Sequence, residues 1–378
     1  MVWDVKQVGD DRRLRDTWVQ VAYDRHGDDP HWIPPLRSDM RRGADRRKNP
    51  FLRHADVEHF VLFRDGQPVG RVAATIHHDY VESTGSACGF FGFLSCVEDL
   101  EAMRALLGTA ERWLAQRGMK QIAGPYNYFL GQEMGLLVSG FDAPPALFQT
   151  YNPPSYPELL RACGYELRYR ADTYTVAGDE LRRLHQPVGH VTQRWRAELR
   201  LSSRPLDPRR FREDIELVRQ LFNQSFVGHY GLTAYPKDVF DFLILPMRRL
   251  LDPQLIRFIE RDGEPVAFAA VVPDLNQILR RLNGRIRPVD VLRLPRLRRT
   301  VDEAVVLLVG VRPNLPIGVG PVLFAEMLAA ATAGGYRALH TTWVHQDNSA
   351  LRLLLKRLCG ELPPRKTYEI VGRELQAA

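Results

Sequence analysis

Residues 305–321 read VVLLVGVRPNLPIGVGP, an apolar run followed by a turn that contains glycines. The run predicts a buried strand that stops at a proline, because proline cannot donate to a sheet ladder. Gly318 and Gly320 then lead into a predicted helix, Val322 to Thr332, which ends at the glycine pair 334–335. The stretch therefore predicts a strand, a tight turn and a helix in immediate succession.

Anion binding is the physical property that this turn suggests. Glycine lets the backbone come close to a ligand, and the first amides of a helix point outward at the positive end of its dipole. A diphosphate fits such a turn, although two glycines can also simply permit a tight connection. The next segments favour a ligand site: a predicted strand, Ala338 to Val344, precedes Asn348-Ser349, which caps a last helix ending near Gly360.

This order of elements resembles the acyl-CoA-binding half of a GCN5-related N-acetyltransferase (GNAT). The family writes the turn Q/R-x-x-G-x-G/A, and here the pattern falls on Leu315, Gly318 and Gly320. Leu315 departs from the pattern, while both glycines match it. The resemblance implies coenzyme A as co-substrate, held by Val309, Gly310, Val311, Ile317, Gly318, Val319, Gly320, Pro321 and Asn348.

The two halves of the chain share one order of predicted elements, which indicates tandem copies of one fold. Residues 61–70, with a turn at Asp65-Gly66, align with residues 256–267, with a turn at Asp262-Gly263. The predicted fold class is α/β with mixed sheets: two tandem GNAT-like domains, each a twisted, mostly antiparallel sheet flanked by helices. The predicted boundaries are an N-terminal domain at 1–180, a linker at 181–207 and a catalytic C-terminal domain at 208–378.

The two copies are not equivalent, since the first has no phosphate loop. At the matching place it has Ser95-Cys96-Val97-Glu98-Asp99, without glycine and with two acids that would repel a diphosphate. The first copy is expected to shape the acceptor site instead. Candidate substrate-binding residues come from loops rich in aromatic and amide groups, where packing is an equally good interpretation: Tyr126, Asn127, Tyr151, Asn152 and, in the second half, Tyr230.

Nearly the whole chain resembles a bacterial group of tandem GNAT proteins. The segments that carry the likeness include Asn49-Pro50-Phe51, Gly89 to Phe93, Gly135 to Val138, Tyr151 to Pro154 and Pro273 to Asn276. Some members of this group are similar to bacterial ceramide synthases, which acylate a sphingoid amine. The resemblance implies transfer of an acyl group, short or long, from acyl-CoA to a primary amine, with an amino-lipid as one acceptor.

Such a transfer needs a neutral amine that attacks a thioester. The resemblance implies that amides near Val309 to Val311 polarise the carbonyl, while a carboxylate or imidazole takes the proton. Glu303 and His345 are the candidates, with a surface charge and a loop cap as the alternative interpretations. Many relatives protonate the thiolate with a tyrosine of the last helix, which is absent here. Tyr368 is a distant substitute, or a core residue.

The net charge of +7 is unevenly distributed. Eight arginines crowd the segment Arg280 to Arg299 against one acid, Asp290, with leucine, isoleucine and valine between them. Such a segment can meet an anionic membrane surface, the phosphates of coenzyme A or nucleic acid, or solvent alone. The expected partners are an amine substrate and an anionic membrane surface rather than nucleic acid.

Composition describes a globular protein with room for two cores, at 378 residues and 45% hydrophobic. The start lacks the order of a signal peptide, and no apolar run approaches the roughly 20 residues that span a bilayer. A cytoplasmic protein is therefore expected, peripheral at the inner face of the membrane if the basic segment binds lipid. No metal is expected, since neither the cysteines nor the histidine pairs have ligand spacing.

Two other functions fit the same sequence. One is a tandem transferase that uses aminoacyl-tRNA, with the basic patches holding RNA. The other is a non-catalytic module for lipid or nucleic acid on a decayed GNAT fold, supported by Leu315 and the missing helix tyrosine. Hydrolase, P-loop and metalloprotease motifs are absent from the sequence.

Overall fold

The computed structural model describes residues 2–129, 133–226 and 232–376. The strands are β1 (Trp3–Gln7), β2 (Ala55–Arg64), β3 (Gln67–His77), β4 (Cys88–Cys96), β5 (Gln121–Gly124), β6 (Tyr126–Asn127), β7 (Glu133–Met134), β8 (Leu136–Ser139), β9 (Glu166–Thr173), β10 (Thr175–Ala177), β11 (Leu201–Pro205), β12 (Ile256–Arg261), β13 (Glu264–Pro273), β14 (Glu303–Val311), β15 (Ala338–Thr341), β16 (Val344–His345) and β17 (Lys366–Glu374). The helices are α1 (Arg12–His26), α2 (Arg37–Gly43), α3 (His78–Thr84), α4 (Leu100–Ala115), α5 (Tyr156–Ala162), α6 (Gly178–Glu198), α7 (Phe211–Phe226), α8 (Lys237–Ile244), α9 (Asn276–Leu282), α10 (Pro288–Arg298), α11 (Val319–Ala333) and α12 (Ser349–Cys359).

The chain forms two compact units. The first comprises Met1–Ala171, Leu279–Pro288 and Lys366–Ala378, and the second comprises Asp172–Ile278 and Val289–Arg365. Among the described residues, no helix is both long enough and apolar enough to cross a membrane.

The first unit is built on a sheet with the strand order β1-β2-β3-β4-β5-β17-β9, and β8 pairs with β17. Neighbouring strands are antiparallel from β1 to β4, whereas β4 and β5 are parallel and are joined through α4. Leu106, Leu107 and Ala110 of α4 are fully buried against this sheet. The helix thus forms the crossover connection that parallel strands require.

The second unit repeats this plan in a sheet with the order β10-β15-β14-β13-β12-β11. Strands β11 to β14 are antiparallel to their neighbours, and β14 and β15 are parallel and joined through α11. Helix α11 is apolar on most sides, and Val322, Leu323 and Leu328 are buried in the core of this unit. Both units therefore place one long helix between their two parallel strands.

The two hairpins that suggested a duplication are alike in detail. Their Asp-Gly turns at 65–66 and 262–263 have positive φ at both residues, 48° and 84° in one and 52° and 84° in the other. This is the backbone that a two-residue hairpin turn requires. The pairing register also shifts at the equivalent place, between residues 62 and 63 and between residues 259 and 260.

The division of the chain differs from the sequence-based boundaries at 180 and 208 in two ways. Residues 181–207, expected as a linker, form most of α6 and all of β11, and Leu181 and Val188 of α6 are buried in the second core. The sequence did not predict this helix because α6 contains a proline and a glycine, two residues that are unfavourable within helices. Strand β17, expected in the second domain, belongs to the first unit, where residues 371–374 pair with β5. That pairing joins residues about 250 positions apart and leaves no local pattern.

Candidate functional site

Strand β14 loses its neighbour halfway along its length. It pairs in parallel with β15 only from Glu303 to Val306, whose partner is Thr341, and β16 is not part of the six-stranded sheet. On the other side β13 continues to Val311, with a register shift that leaves Leu307 as an extra residue. In the described part of the chain, residues 308–311 thus have a strand partner on one side alone. Residues 306–309 are only partly buried, although they lie in a central strand.

The predicted glycine turn lies directly beyond this open half of β14. Helix α11 begins at Val319, with Gly318 as its N-cap and no side chain accepting from its first amides. The amide of Val319 donates to the carbonyl of Pro316 (3.2 Å). Those of Gly318 and Gly320 have no hydrogen-bond partner among the residues that the structure describes. The helix terminus therefore presents unused donors, with no acid in its first turn.

The corresponding helix of the first unit has the opposite arrangement. The carboxylate of Asp99 caps α4 and accepts a hydrogen bond from the amide of Ala102 (2.8 Å). Glu101 adds a second negative charge in the first turn. A helix terminus that is capped by a carboxylate of the protein does not favour a bound anion. This cap gives a structural basis for the difference predicted between the two copies.

Packing explains why two glycines of the site cannot carry side chains. A β-carbon at Gly318 would lie 2.8 Å from the indole of Trp195 on α6, and one at Gly310 would lie 2.4 Å from the ring of Phe268. Gly320 differs, since nothing lies within 4 Å of its β-carbon position. Leu315, at the position where the pattern expects glutamine or arginine, packs against the core.

Arg312 is a residue of this site that the sequence reasoning missed. It follows β14 immediately, its amide donates to the carbonyl of Val266 (3.0 Å), and its Nε is buried with no hydrogen-bond partner in the described chain. A guanidinium in the loop before an anion-binding turn adds positive charge to it. The arginine that directly precedes Pro313 was the available signal.

Glu303 lies at the opposite end of β14 from the turn. At about 3.3 Å per residue, roughly 23 Å of strand separates it from Gly310. Its carboxylate is paired with Nε2 of His340 (3.0 Å) and with the guanidinium of Arg337 (2.5 Å). The bond to His340 is the largest cause that holds the pKa of Glu303 below its usual value, despite burial. These partners and this distance separate Glu303 from the site.

His345 lies in β16, a strand that follows β15 after two intervening residues. The amide of Asp347 donates to Nδ1 (3.1 Å), and the carboxylate of Asp347 lies 3.6 Å from the same nitrogen. Burial lowers the pKa of His345, while Asp347 acts in the opposite direction. The imidazole is therefore neutral at physiological pH.

Tyr368 and Asn348 have structural partners. Tyr368 lies on β17 in the first unit, is fully buried, and donates its hydroxyl proton to the carbonyl of Thr150 (3.1 Å). Burial raises its pKa well above the usual value. Asn348 is the N-cap of α12, as the sequence indicated, and its side-chain oxygen accepts from the amide of Leu351 (3.1 Å).

The four described candidates for substrate binding lie in the first unit and are engaged within it. The hydroxyl of Tyr126 is 2.5 Å from that of Tyr169, and Tyr151 donates to Asp29 (2.5 Å). Asn152 is buried and bonds both backbone groups of Leu137, in the manner of a strand partner.

Asn127 accepts from the amide of Phe93 (2.7 Å), whose φ is 51°, and donates to Glu133 (2.8 Å). Tyr230 lies outside the described residues. The structure thus gives the described members of this set local contacts that explain their positions without a ligand.

One group of metal-ligand type occurs in the described chain: Asp274, Glu303 and His340 place one ligand atom each within 4.8 Å of one another. Arg337 already neutralises Glu303 there, and Asp274 accepts from the amide of Asn276 (3.0 Å). The group is accounted for as an internal ion-pair network.

Two known proteins are similar to this chain over most of its length. Protein YghO of Escherichia coli (strain K12) is 28% identical over 361 residues, covering 92% of the chain and 90% of that protein. The bacterial ceramide synthase of Caulobacter vibrioides (strain NA1000 / CB15N) is 28% identical over 359 residues, covering 92% and 91%. No family model matches the sequence.

A solved tandem GNAT protein from the clavulanic acid biosynthesis pathway shares the architecture over the whole length of both chains, with a TM-score of 0.57 at 11% identity. The chain therefore has the tandem GNAT fold. This confirms the resemblance and the fold class predicted from the sequence.

Proposed function

We propose that the protein is an N-acyltransferase that moves an acyl group from acyl-CoA to a primary amine. The observation that carries this proposal is the start of α11, where the amides of Gly318 and Gly320 are unpaired beyond the open half of β14. In this assignment the amides hold the diphosphate of coenzyme A, with Arg312 as an added cation. The pantetheine then lies along residues 308–311, whose free side can bond it.

Transfer follows from that placement. The neutral amine attacks the thioester carbonyl, a C–N bond forms, and the oxygen takes up negative charge that amides near Val309 to Val311 stabilise. The C–S bond then breaks and the coenzyme leaves as a thiolate. His345 takes the proton that the nitrogen loses, directly or through water. Orientation of the two substrates supplies much of the rate.

The acceptor that we favour is an amino-lipid, such as a sphingoid base. The name of the Caulobacter vibrioides relative supports a lipid amine. So does α10, which has no buried residue and exposes Leu292 (81%) and Val291 (54%) beside Arg293 and Arg296. A helix surface of this composition suits an anionic membrane, with apolar side chains inserted among the lipids and arginines at the phosphates.

Calorimetry with coenzyme A tests the cofactor assignment. A carboxylate at position 320 has steric room and would lie where the diphosphate binds, so Gly320→Asp is expected to weaken binding at least tenfold. Gly320→Asn, equal in size but neutral, is the matched control and should bind more tightly than the aspartate variant. A wild-type protein that binds neither coenzyme A nor a long-chain acyl-CoA would contradict the proposal, and would favour the aminoacyl-tRNA or non-catalytic alternatives.

A further inference from the structure

The first unit contains a cavity of about 340 Å³ that the proposed transfer reaction does not use. Tyr23 and Trp32 give it aromatic walls, and Arg37 and Arg285 line it together with Asp28. The volume falls at the lower end of the roughly 300–1,000 Å³ typical of sites for small molecules. Its lining differs from that of an ordinary surface hollow in the contacts that Arg37 and Arg285 make.

Two of the arginines at this cavity, Arg37 and Arg285, form no ion pair with a described carboxylate, although Asp28 also lines the cavity. Arg37 stacks on the ring of Tyr23 (3.6 Å to the centroid) and donates through Nη1 to the side-chain oxygen of Gln20. Its Nε is buried and has no hydrogen-bond partner among the residues that the structure describes. In the described chain, no carboxylate lies within 4 Å of the guanidinium of Arg37 or of Arg285. Burial, and then the charge of Arg285, lower the pKa of Arg37.

Arg71, which does not line the cavity, adds positive charge from the interior. Arg71 is 5% exposed, donates through Nη1 to the carbonyl of Trp18 (3.2 Å), and has no ion-pair partner among the described residues. Burial raises the pKa of Tyr23 to about 12, and Arg71 is the first of three arginines that act in the opposite direction. Buried positive charge without an acid is costly to the fold, and a bound anion would offset that cost.

The loop that carries Arg285 is fixed in place. Asn283 and Gly284 have φ of 45° and 74°, and the carbonyl of Gly284 accepts a hydrogen bond from the amide of Arg37 (3.0 Å). A β-carbon at Gly284 would lie 2.7 Å from the ring of Tyr23, so only glycine allows this approach. Arg37 and Arg285 are thus held on two segments joined by a hydrogen bond rather than on free loops, and Arg287 also lines the cavity.

We infer that this cavity is a second binding site, distinct from the proposed coenzyme site, and that its ligand is a phosphate-bearing anion. Guanidinium groups match the oxygens of phosphate in geometry, and the ring of Trp32 can contact an attached organic group. Two sources share this chemistry: a soluble diphosphate or phosphate ester, and the phosphodiester headgroup of a lipid.

Calorimetry on the full chain with inorganic pyrophosphate and with glycerophosphoglycerol separates these sources. The Gly320→Asp background removes the proposed diphosphate site at α11 from the measurement. Arg37→Gln with Arg285→Gln is expected to weaken binding of the preferred probe at least tenfold. If the double variant unfolds, Arg285→Gln alone, at an exposed position, is expected to weaken binding of the same probe. Arg12→Gln, an exposed arginine of the same unit, is the control and should bind as its parent does.

Each result bears on the inference. Preference for pyrophosphate, lost with Arg37 and Arg285, supports a soluble ligand, and preference for glycerophosphoglycerol supports a lipid headgroup. The inference is overturned if neither probe binds, or if the loss in the double variant is matched by the loss in Arg12→Gln. Because Gly320 is already substituted, these outcomes are independent of whether coenzyme A binds at α11.

Discussion

At the scale of single residues, the two candidate bases differ in where the sheet places them. Glu303 is ion-paired at the closed end of β14, whereas His345 lies in β16, beyond the end of the strand that pairs with this closed half. His345→Gln is therefore expected to lower kcat/KM at least about a hundredfold, the usual scale of general-base catalysis, with coenzyme A affinity unchanged. The measurement is thiol release with an amine acceptor that the wild type uses.

Glu303→Gln is the matched comparison, since it removes the other candidate carboxylate. We expect kcat/KM to change by less than threefold and the free energy of unfolding to fall. Because the pKa of Glu303 is lowered in the folded state, its stabilisation is present above the unfolded-state pKa and is lost as the pH falls through the folded value. A large loss of kcat/KM in Glu303→Gln, with His345→Gln unaffected, would reverse the two assignments.

At the scale of elements, sequence patterns predicted strands and turns well, because these elements depend on residues that are close together in the chain. The Asp-Gly hairpins, the run ending in β14 and the cap at Asn348 each depend on residues within a few positions. Helix α6 was expected as a linker, because its burial against α11 depends on distant residues. The same limit applies to the site: the glycine turn was visible, while the ion pairs of Glu303 were not.

The surface helix α10 leads to a prediction about binding to anionic lipid vesicles. Each arginine near an anionic surface contributes about 1 kcal/mol, so Arg293→Gln with Arg296→Gln is expected to weaken binding to phosphatidylglycerol-containing vesicles roughly thirtyfold. Adding Leu292→Ser should weaken it further. Arg209→Gln with Arg212→Gln removes the same charge from other exposed positions of the second unit and serves as the control. Equal retention of all variants in vesicle sedimentation would contradict a role for α10.

At the scale of the whole molecule, buried histidines make the stability of the fold depend on pH. Three histidines of the first unit are buried, and desolvation lowers the pKa of His26 to about 4, of His59 to about 3 and of His77 to about 4. In the unfolded chain these rings bind protons below about pH 6.5. Between pH 6.5 and 4 the unfolded state therefore holds more protons, and the stability of the folded state falls as the pH is lowered.

The expected size follows from linkage: about 1.4 kcal/mol per pH unit for each proton, and thus up to about 4 kcal/mol per pH unit for three. Urea unfolding at intervals between pH 7 and pH 5 measures this slope. His59→Gln should reduce it by about one proton, even though loss of the bond to Tyr128 (2.7 Å) lowers stability at every pH. The slope of His78→Gln, at a half-exposed histidine of the same unit, is the comparison for this loss. A stability independent of pH over this range would show that the three rings bind as many protons in the folded chain as in the unfolded chain, and would contradict their desolvated, neutral state.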